Sequence, residues 1–399
     1  MSKRVAIMPA ATTSVSDPPV QRLIADLPDE MSRLIIGCIP KEEHDVVALV
    51  SKKWNSALSP FEWSSTRSEL CLEKESLYIR FKVNSTYLWR ILNQSQNPKL
   101  RLNPDIFTCS SFPNDPINLQ TSGSTFAVLG TKIYAFGGTS NDIPINNVWT
   151  YDCSTDALEC GPEMLLGRES AVAEVVDKVI YVMGGRLSEE LDENLNQVVD
   201  GITHVMGWME KFDYDIHVWQ KVSTPINISK MRVCTSCVVD GRIYARTVNN
   251  WIVFNPNTEK WSVIESKKSK LRWRGRPAVL AGVIYFQRFT GDITGYDVEK
   301  NVWKELKVEF LKFLDGKELK VMFPKFLDGV TVGALDGNLC VLWEKQHKTE
   351  KGVKVDIKCV EIEVSEAGDG ELNGLVLRER VIMQLPSKSS AVHCLSVYL

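Results

Sequence analysis

The chain carries five histidines, ten cysteines and 50 carboxylates, and the first question is whether any of them stand at spacings that do chemistry. Copper-type oxidation needs imidazoles converging on one ion. His44, His204, His217, His347 and His393 are scattered along the chain, and no pair has ligand spacing. The single CxxC, Cys234 and Cys237 in RVCTSCVVD, has no second pair and no nearby histidine. Zinc takes four ligands, so the expectation is no metal and two thiols in the core of a strand. GxSxG, P-loop and HExxH motifs are absent, and the carboxylates show no acid/base pairing pattern. No cofactor is expected, and catalysis has no constellation of residues to carry it. The remaining candidates are Arg168, Arg232 and Arg272, which precede apolar runs at similar offsets. A guanidinium so placed pairs with a partner's carboxylates, or equally ties neighbouring repeats together.

The arginines lead into a repeated plan. STFAVLGTKIYAFGG holds two apolar runs broken at Gly130-Thr131 and ends in Gly137-Gly138. ESAVAEVVDKVIYVMGG breaks at Asp177-Lys178 and ends in Gly184-Gly185, RVCTSCVVDGRIYA breaks at Asp240-Gly241, and RPAVLAGVIYF breaks at Ala281-Gly282. A tyrosine follows each break: Tyr134, Tyr181, Tyr244 and Tyr285. Downstream of each lies an aromatic with a tryptophan seven residues on: Phe212 and Trp219, Phe254 and Trp261, Tyr296 and Trp303. The first unit keeps Tyr151 but has Leu158 in place of the tryptophan, and the three tryptophans recur every 42 residues. Apolar alternation with two-residue turns predicts a hairpin up to each tyrosine and a second hairpin ending at the tryptophan. Four strands repeated at this period describe propeller blades, whose faces are buried only by stacking on one another.

Units three and four carry Thr247-Val248 and Arg288-Phe289 where the double glycines stood, which predicts distorted blade interiors. A fifth unit is eroded: VTVGALDGNLCVLW, a charged insert, then VDIKCVEIEV. AVHCLSVYL reads as a lone first strand, and SLYIRFKVNSTYLWRILN as outer strands for the same sheet. Closing the ring with both ends removes open edges, so about six blades are expected. RLSEELDENLNQVVDGITHVMGWMEK, residues 186–211, reads as the longest loop, acidic and either a partner site or a tolerated insertion.

The head of the chain has a different period. After a Ser-, Thr- and Pro-rich tail over 1–22, LPDEMSRLIIGCIP places Met31, Leu34, Ile35 and Cys38 on one helical stripe that stops at Pro40. KEEHDVVALVSKKWNSALSP follows with Val47, Val50, Trp54 and Leu58, the period of one second helix. A third helix from Pro60 to Leu70 completes a small unit whose leftover apolar surface suits docking onto a partner.

Composition allows an ordinary soluble globular protein. Hydrophobic residues make up 44% and charged residues 24%, and a net charge of −3 gives no sign of a nucleic-acid or anionic-membrane surface. No apolar run is long enough to span a bilayer, and the N-terminal stretch lacks the apolar core of a signal peptide. Buried free thiols suit a reducing compartment.

Two families are resembled. The stretch Leu27 to Arg67 resembles an F-box: its Leu-Pro opening is Leu27 and Pro28, its second proline is Pro40, and its Val-Ser-Lys-x-Trp signature is Val50, Ser51, Lys52 and Trp54. His44 and Asp45 replace the acidic-leucine pair of many plant F-boxes. The repeats resemble kelch repeats, with Gly137-Gly138 and Gly184-Gly185 as the double glycines and Tyr151, Phe212, Trp219, Phe254, Trp261, Tyr296 and Trp303 as the downstream markers. Together they resemble the plant F-box/kelch-repeat proteins. That resemblance implies a mainly β chain: a small α-helical F-box over 23–70, a connector over 71–121 contributing strands to the closing blade, and a kelch-type propeller over 122–399. It implies binding of a Skp-type adaptor, and through it cullin, by Leu27, Pro28, Met31, Leu34, Ile35, Pro40, Val47, Leu49, Val50 and Trp54. It further implies a propeller that holds a protein for ubiquitination in the cytoplasm or nucleus, with Arg168, Arg232 and Arg272 as substrate contacts. The alternative is a kelch scaffold with a degenerate F-box and no ligase role.

Overall fold

A computed structural model of the chain describes residues 22–24, 26–39, 43–84, 86–93, 122–188, 197–199, 201–248, 250–264, 273–288, 292–310, 331–349, 352–367, 370–387 and 389–398. Pro40, Arg272, the 1–21 part of the tail, and residues 94–121 of the connector lie outside them. The chain divides into two compact units, Met1–Glu73 and Lys74–Leu399.

The first unit is helical: α1 (Asp29–Gly37), α2 (His44–Val47), α3 (Lys52–Ala57) and α4 (Pro60–Glu69). The single second helix expected over the Val47 to Leu58 period is broken in two. A 3-10 turn spans Ala48–Val50, Ser51 is extended at φ −164 and ψ 163, and its side chain accepts from the Trp54 N–H as the cap of α3. A serine that satisfies an orphan helical donor starts a new helix better than it continues an old one. Arg67 on α4 donates to the Gly37 carbonyl at 2.6 Å and to the Leu72 carbonyl, fastening α4 to the end of α1.

The second unit is built of β-strands. Four successive antiparallel four-stranded units follow Ser124. The first is Thr125–Leu129, Lys132–Phe136, Val148–Asp152 and Ala157–Gly161; the second is Val172–Val176, Val179–Met183, Ile202–Asp213 and Val218–Pro225. The third is Val233–Val239, Arg242–Thr247, Trp251–Asn255 and Lys260–Ile264; the fourth is Trp273–Leu280, Val283–Arg288, Ile293–Asp297 and Val302–Phe310. A fifth comprises Thr331–Leu335, Asn338–Thr349, Gly352–Glu366 and Leu372–Pro386. The sixth joins both ends of the unit: Ser390–Tyr398 pairs with Glu75–Val83, which pairs with Thr86–Asn93. The first strand of each unit packs beside the first strand of the next, from Thr125–Leu129 round to Ser390–Tyr398 and back.

The core follows this ring. Among the described residues it divides into one apolar cluster per junction, for example Tyr181, Ile243 and Phe254 between the second and third units. Tyr78, Trp89, Phe126 and Tyr151 fill the junction of the sixth and first. The break residues are two-residue hairpin turns: Val176 pairs with Val179, Val239 with Arg242 and Leu280 with Val283. Asp177, Lys178, Asp240, Gly241, Ala281 and Gly282 all have positive φ, the conformation that matches strand twist in such turns. The four tyrosines after the turns are buried, and burial pushes the Tyr181 and Tyr285 phenols up to about 12.

The aromatic and tryptophan of each repeat face each other across one hairpin. Phe212 is in register with Trp219, Phe254 with Trp261 and Tyr296 with Trp303, with ring centroids 5.2, 4.6 and 4.7 Å apart; Tyr151 faces Leu158. Two tryptophans also tie units together: Trp219 Nε1 donates to the Pro162 carbonyl at 2.8 Å and Trp261 Nε1 to the Ser223 carbonyl at 3.0 Å.

The double glycines mark close approach. Gly137 has φ +59, and a Cβ there would meet the Arg168 carbonyl oxygen at 2.3 Å, while Gly138 N–H donates to that same oxygen at 2.8 Å. In the third and fourth units, which lack the glycines, the first strand is bulged between Val233 and Thr235 and between Arg274 and Ala278. The expected distortion is therefore local, and all four strands persist.

Two expectations are corrected. Residues 186–211 are not one loop: Gln197–Val199 and Ile202–Asp213 are paired strands, with 189–196 outside the described residues. The charged insert of the fifth unit belongs to a long hairpin in which Leu339 to Thr349 pair with Ile362 to Gly352. The fourth and fifth units also merge. Val302–Phe310 pairs in parallel with Leu372–Pro386, reinforced by Lys300 and Lys304 on Glu366 at 2.9 and 2.6 Å.

Candidate docking face

The helical unit buries little of its own apolar content. Ile36, at 1% exposure, Leu58 and Trp63 form its core, with Leu23, Ile39, Val47, Ala48, Trp54 and Ala57 packed around them. On α1 the inward residues are Ser32, Ile36 and Gly37. Ser32 Oγ returns a hydrogen bond to the Pro28 carbonyl at 3.0 Å, and Gly37 lets Leu72 come close, its Cδ1 lying 3.0 Å from where a Cβ would be.

The stripe read from the sequence points the other way. Met31 (48% exposed), Leu34, Ile35 and Cys38 are all on the outer surface of α1. After α2, Leu49 (84%) and Val50 (64%) are more exposed still, as is Val46. A large apolar side chain left in water forgoes roughly 1.5–3 kcal/mol of burial, so this many on one small unit mark a surface suited to a partner. Leu27, Val47 and Trp54 are half-buried and Pro28 is exposed. Trp54 Nε1 donates to the Leu23 carbonyl at 3.1 Å, which anchors the α3 end of the unit. His44, one of the two departures from the plant pattern, packs edge-on against Trp63 at 4.7 Å.

Of the three propeller arginines, Arg168 takes the tying role that was one of its two expected readings. Arg168 is 1% exposed and all five of its N–H donors are taken. They go to Glu210 at 2.7 and 3.3 Å, to the Gly184 and Trp208 carbonyls at 3.0 and 2.9 Å, and to the Gly207 carbonyl. Glu210 also accepts from the Leu165 and Leu166 N–H groups at 2.7 and 3.1 Å. Arg168 is thus an internal tie that seats the entry to the second unit on its glycine turn, and it is closed to a substrate. Arg232 is exposed, just before the first strand of the third unit. Cys237 is buried but Cys234 is exposed, because residues three apart on a strand fall on opposite faces; the expectation of two core thiols holds for one.

The arginine that the sequence reading passed over is Arg276, on the first strand of the fourth unit. Its Nη1 donates to the Phe126 carbonyl of the first unit at 3.3 Å and its Nη2 to the Ala173 carbonyl of the second at 3.4 Å. Nη2 also lies 3.6 Å from Glu174, which accepts from Ser236 of the third unit at 2.6 Å. Burial pushes the Glu174 carboxyl up, against the pull of Arg276 and the Ser236 hydroxyl. His393 of the sixth unit packs on Phe126 at 4.9 Å; burial, then Arg276 and Arg80, hold its imidazole well below the usual histidine range. Side chains from first strands so join across the ring. No local motif announces this, since each residue comes from a different repeat.

The family described as FKB95, kelch-repeats domain, matches residues 87–382. An F-box/kelch-repeat protein of Arabidopsis thaliana is 27% identical over 405 residues, covering 97% of this chain and 96% of that protein. A second from the same plant is 27% identical over 371 residues, covering 88% and 85%, and a third is 26% identical over 397 residues, covering 94% and 93%. A solved structure titled "Structure of YjhT" aligns over 68% of this chain and 97% of that one, at 14% identity and a TM-score of 0.40.

Proposed function

Since the chain belongs to the FKB95 kelch-repeat family, we propose that it is a substrate receptor of an SCF-type ubiquitin ligase, its helical unit holding the Skp-type adaptor and its propeller holding the protein to be ubiquitinated. The observation that carries this reading is the outward exposure of the apolar side chains of Met31, Leu34, Ile35, Leu49 and Val50. All five lie within the stretch that resembles an F-box, and the relatives of this chain are themselves named F-box/kelch-repeat proteins. In this reading the propeller contributes binding and no chemistry of its own. The proposed place of work is the cytosol or nucleus, where buried thiols such as Cys237, Cys340 and Cys359 stay reduced.

Co-precipitation with a Skp-type adaptor tests the reading. The intact protein is expected to capture adaptor and cullin, and a Leu27→Ala/Pro28→Ala variant to capture neither at comparable abundance. An intact, folded protein that captures no adaptor would leave the kelch scaffold without a ligase role as the better account.

A further inference from the structure

Among the described residues two of the propeller units carry markedly long strands, and they are long at the same end. In the first and third units the third strand has five residues. In the second it has 12, extended by pairing of His204 to Met206 with Pro225 to Ser223 and by the small hairpin of Gln197–Val199. In the fifth the last three strands have 12, 15 and 15 residues. Successive strands of a unit are antiparallel, so all turns between second and third strands lie on one face of the ring. Both extensions therefore rise from that face. In the ring, two units separate them on either side, so they stand on opposite sides of it.

The fifth-unit extension carries a charge pattern that its own fold does not neutralise. Lys345 faces Asp356 and His347 faces Lys354 across the hairpin, and residues two apart and their cross-strand partners share a face. Asp356 is engaged by Gln384 Nε2 at 2.9 Å and lies 3.3 Å from His347 Nδ1. Lys358, nearer the ring, is paired with Glu379 at 2.6 Å and lies over Trp343. Lys345 and Lys354 are exposed and have no ion pair among the described residues. The opposite face is buried at Glu344, Val355 and Ile357 and opens to solvent at Gln346, Lys348 and Val353 towards the tip. Val353, 40% exposed, stands at the tip.

We propose that this outer hairpin face docks an extended acidic segment of the protein that the propeller holds, with Lys345, His347 and Lys354 as its polar contacts. The inference rests on the receptor reading for what the bound protein is, but the chemistry is set by the hairpin. Alternate residues on a strand are roughly 6.5–7 Å apart, the spacing that a second extended chain gives its own alternate side chains. A segment with carboxylates at every other position meets Lys345 and His347 in step and reaches Lys354 across the pair. Lysines spread over two strands suit such a line of charges better than one compact anion, which favours a convergent or bidentate site.

The test uses the full-length protein and a fluorescein-labelled 12-residue peptide of alternating glutamate and threonine, with the lysine-for-glutamate peptide and a single-stranded RNA oligonucleotide as comparators, read by anisotropy. The glutamate peptide is expected to bind more tightly than either comparator and to weaken as salt is raised. Lys345→Glu/Lys354→Glu should weaken it at least tenfold without shifting the thermal unfolding midpoint, as both side chains are exposed. Undetectable binding, binding indifferent to the double reversal, or tighter binding of RNA overturns the inference. Adaptor capture by the same preparations separates the two claims. Capture with lysine-indifferent peptide binding sinks the docking face alone, and lysine-dependent binding without capture supports the docking face while sinking the receptor reading.

Discussion

In the helical unit Ile36, Leu58 and Trp63 are the buried apolar core, while Met31, Leu34, Ile35, Val46, Leu49 and Val50 face outward. In the propeller the large aromatics are turned inward at every junction, Phe126, Phe136, Phe254 and Phe286 all fully buried. The same residue types at equally regular spacing thus mean different things in the two regions. A 3.6-residue apolar stripe on a short helical unit leaves an apolar surface open, whereas a repeated aromatic seven residues from a tryptophan records two strands already covering each other. Regular spacing identifies a face; what lies opposite that face decides whether it is core or docking surface.

Substitutions in the two regions are expected to act differently. The largest effect belongs to the propeller's buried ion pair. Arg168→Met leaves Glu210 without its cation and is expected to destabilise the protein by about 3–5 kcal/mol, seen as a lowered midpoint in chemical denaturation; an unchanged midpoint would remove Arg168 from the structural role. Phe254→Ala, which empties the centre of the junction between second and third units, should cost about 3–5 kcal/mol as well, with adaptor capture by the surviving folded fraction unaltered. Next comes acid sensitivity. A histidine held below its usual range contributes stability that is complete above about pH 6.5 and is lost as pH falls towards its folded value. Wild-type stability should therefore fall relative to His393→Gln by up to about 1.4 kcal/mol per pH unit below that point, and parallel curves would deny the imidazole this role. The smallest stability effect is expected on the helical unit. Leu49→Ala should change stability by less than about 0.5 kcal/mol yet weaken adaptor capture at least tenfold, the inverse of Phe254→Ala. A Leu49 variant that melts early and binds normally would erase the distinction between the regions.

How far the sequence reveals the molecule follows the same boundary. Hairpin turns are legible because Asp-Gly and its relatives impose positive φ locally, and Tyr296 and Trp303 are legible because strand pairing fixes their spacing. The break at Ser51 is not, since the apolar period continues across it and only the cap to Trp54 N–H reveals two helices. Arg168 was readable as an arginine at a repeated offset but not as a buried one, because its partner Glu210 is 42 residues away. Arg276, Glu174, Ser236 and His393 meet only once the ring is closed, so no segment taken alone contains their relationship.

That closure also sets when the protein can become itself. Glu75–Val83 finds one of its two neighbours in Ser390–Tyr398, roughly 300 residues later on the nascent chain. At about 5–20 residues per second, its apolar side chains wait some 15–60 s for the last strand to emerge. A ribosome product cut short before residue 390 would carry a strand edge with no mate, so the pairing of Glu75–Val83 records whether synthesis has passed Ser390–Tyr398.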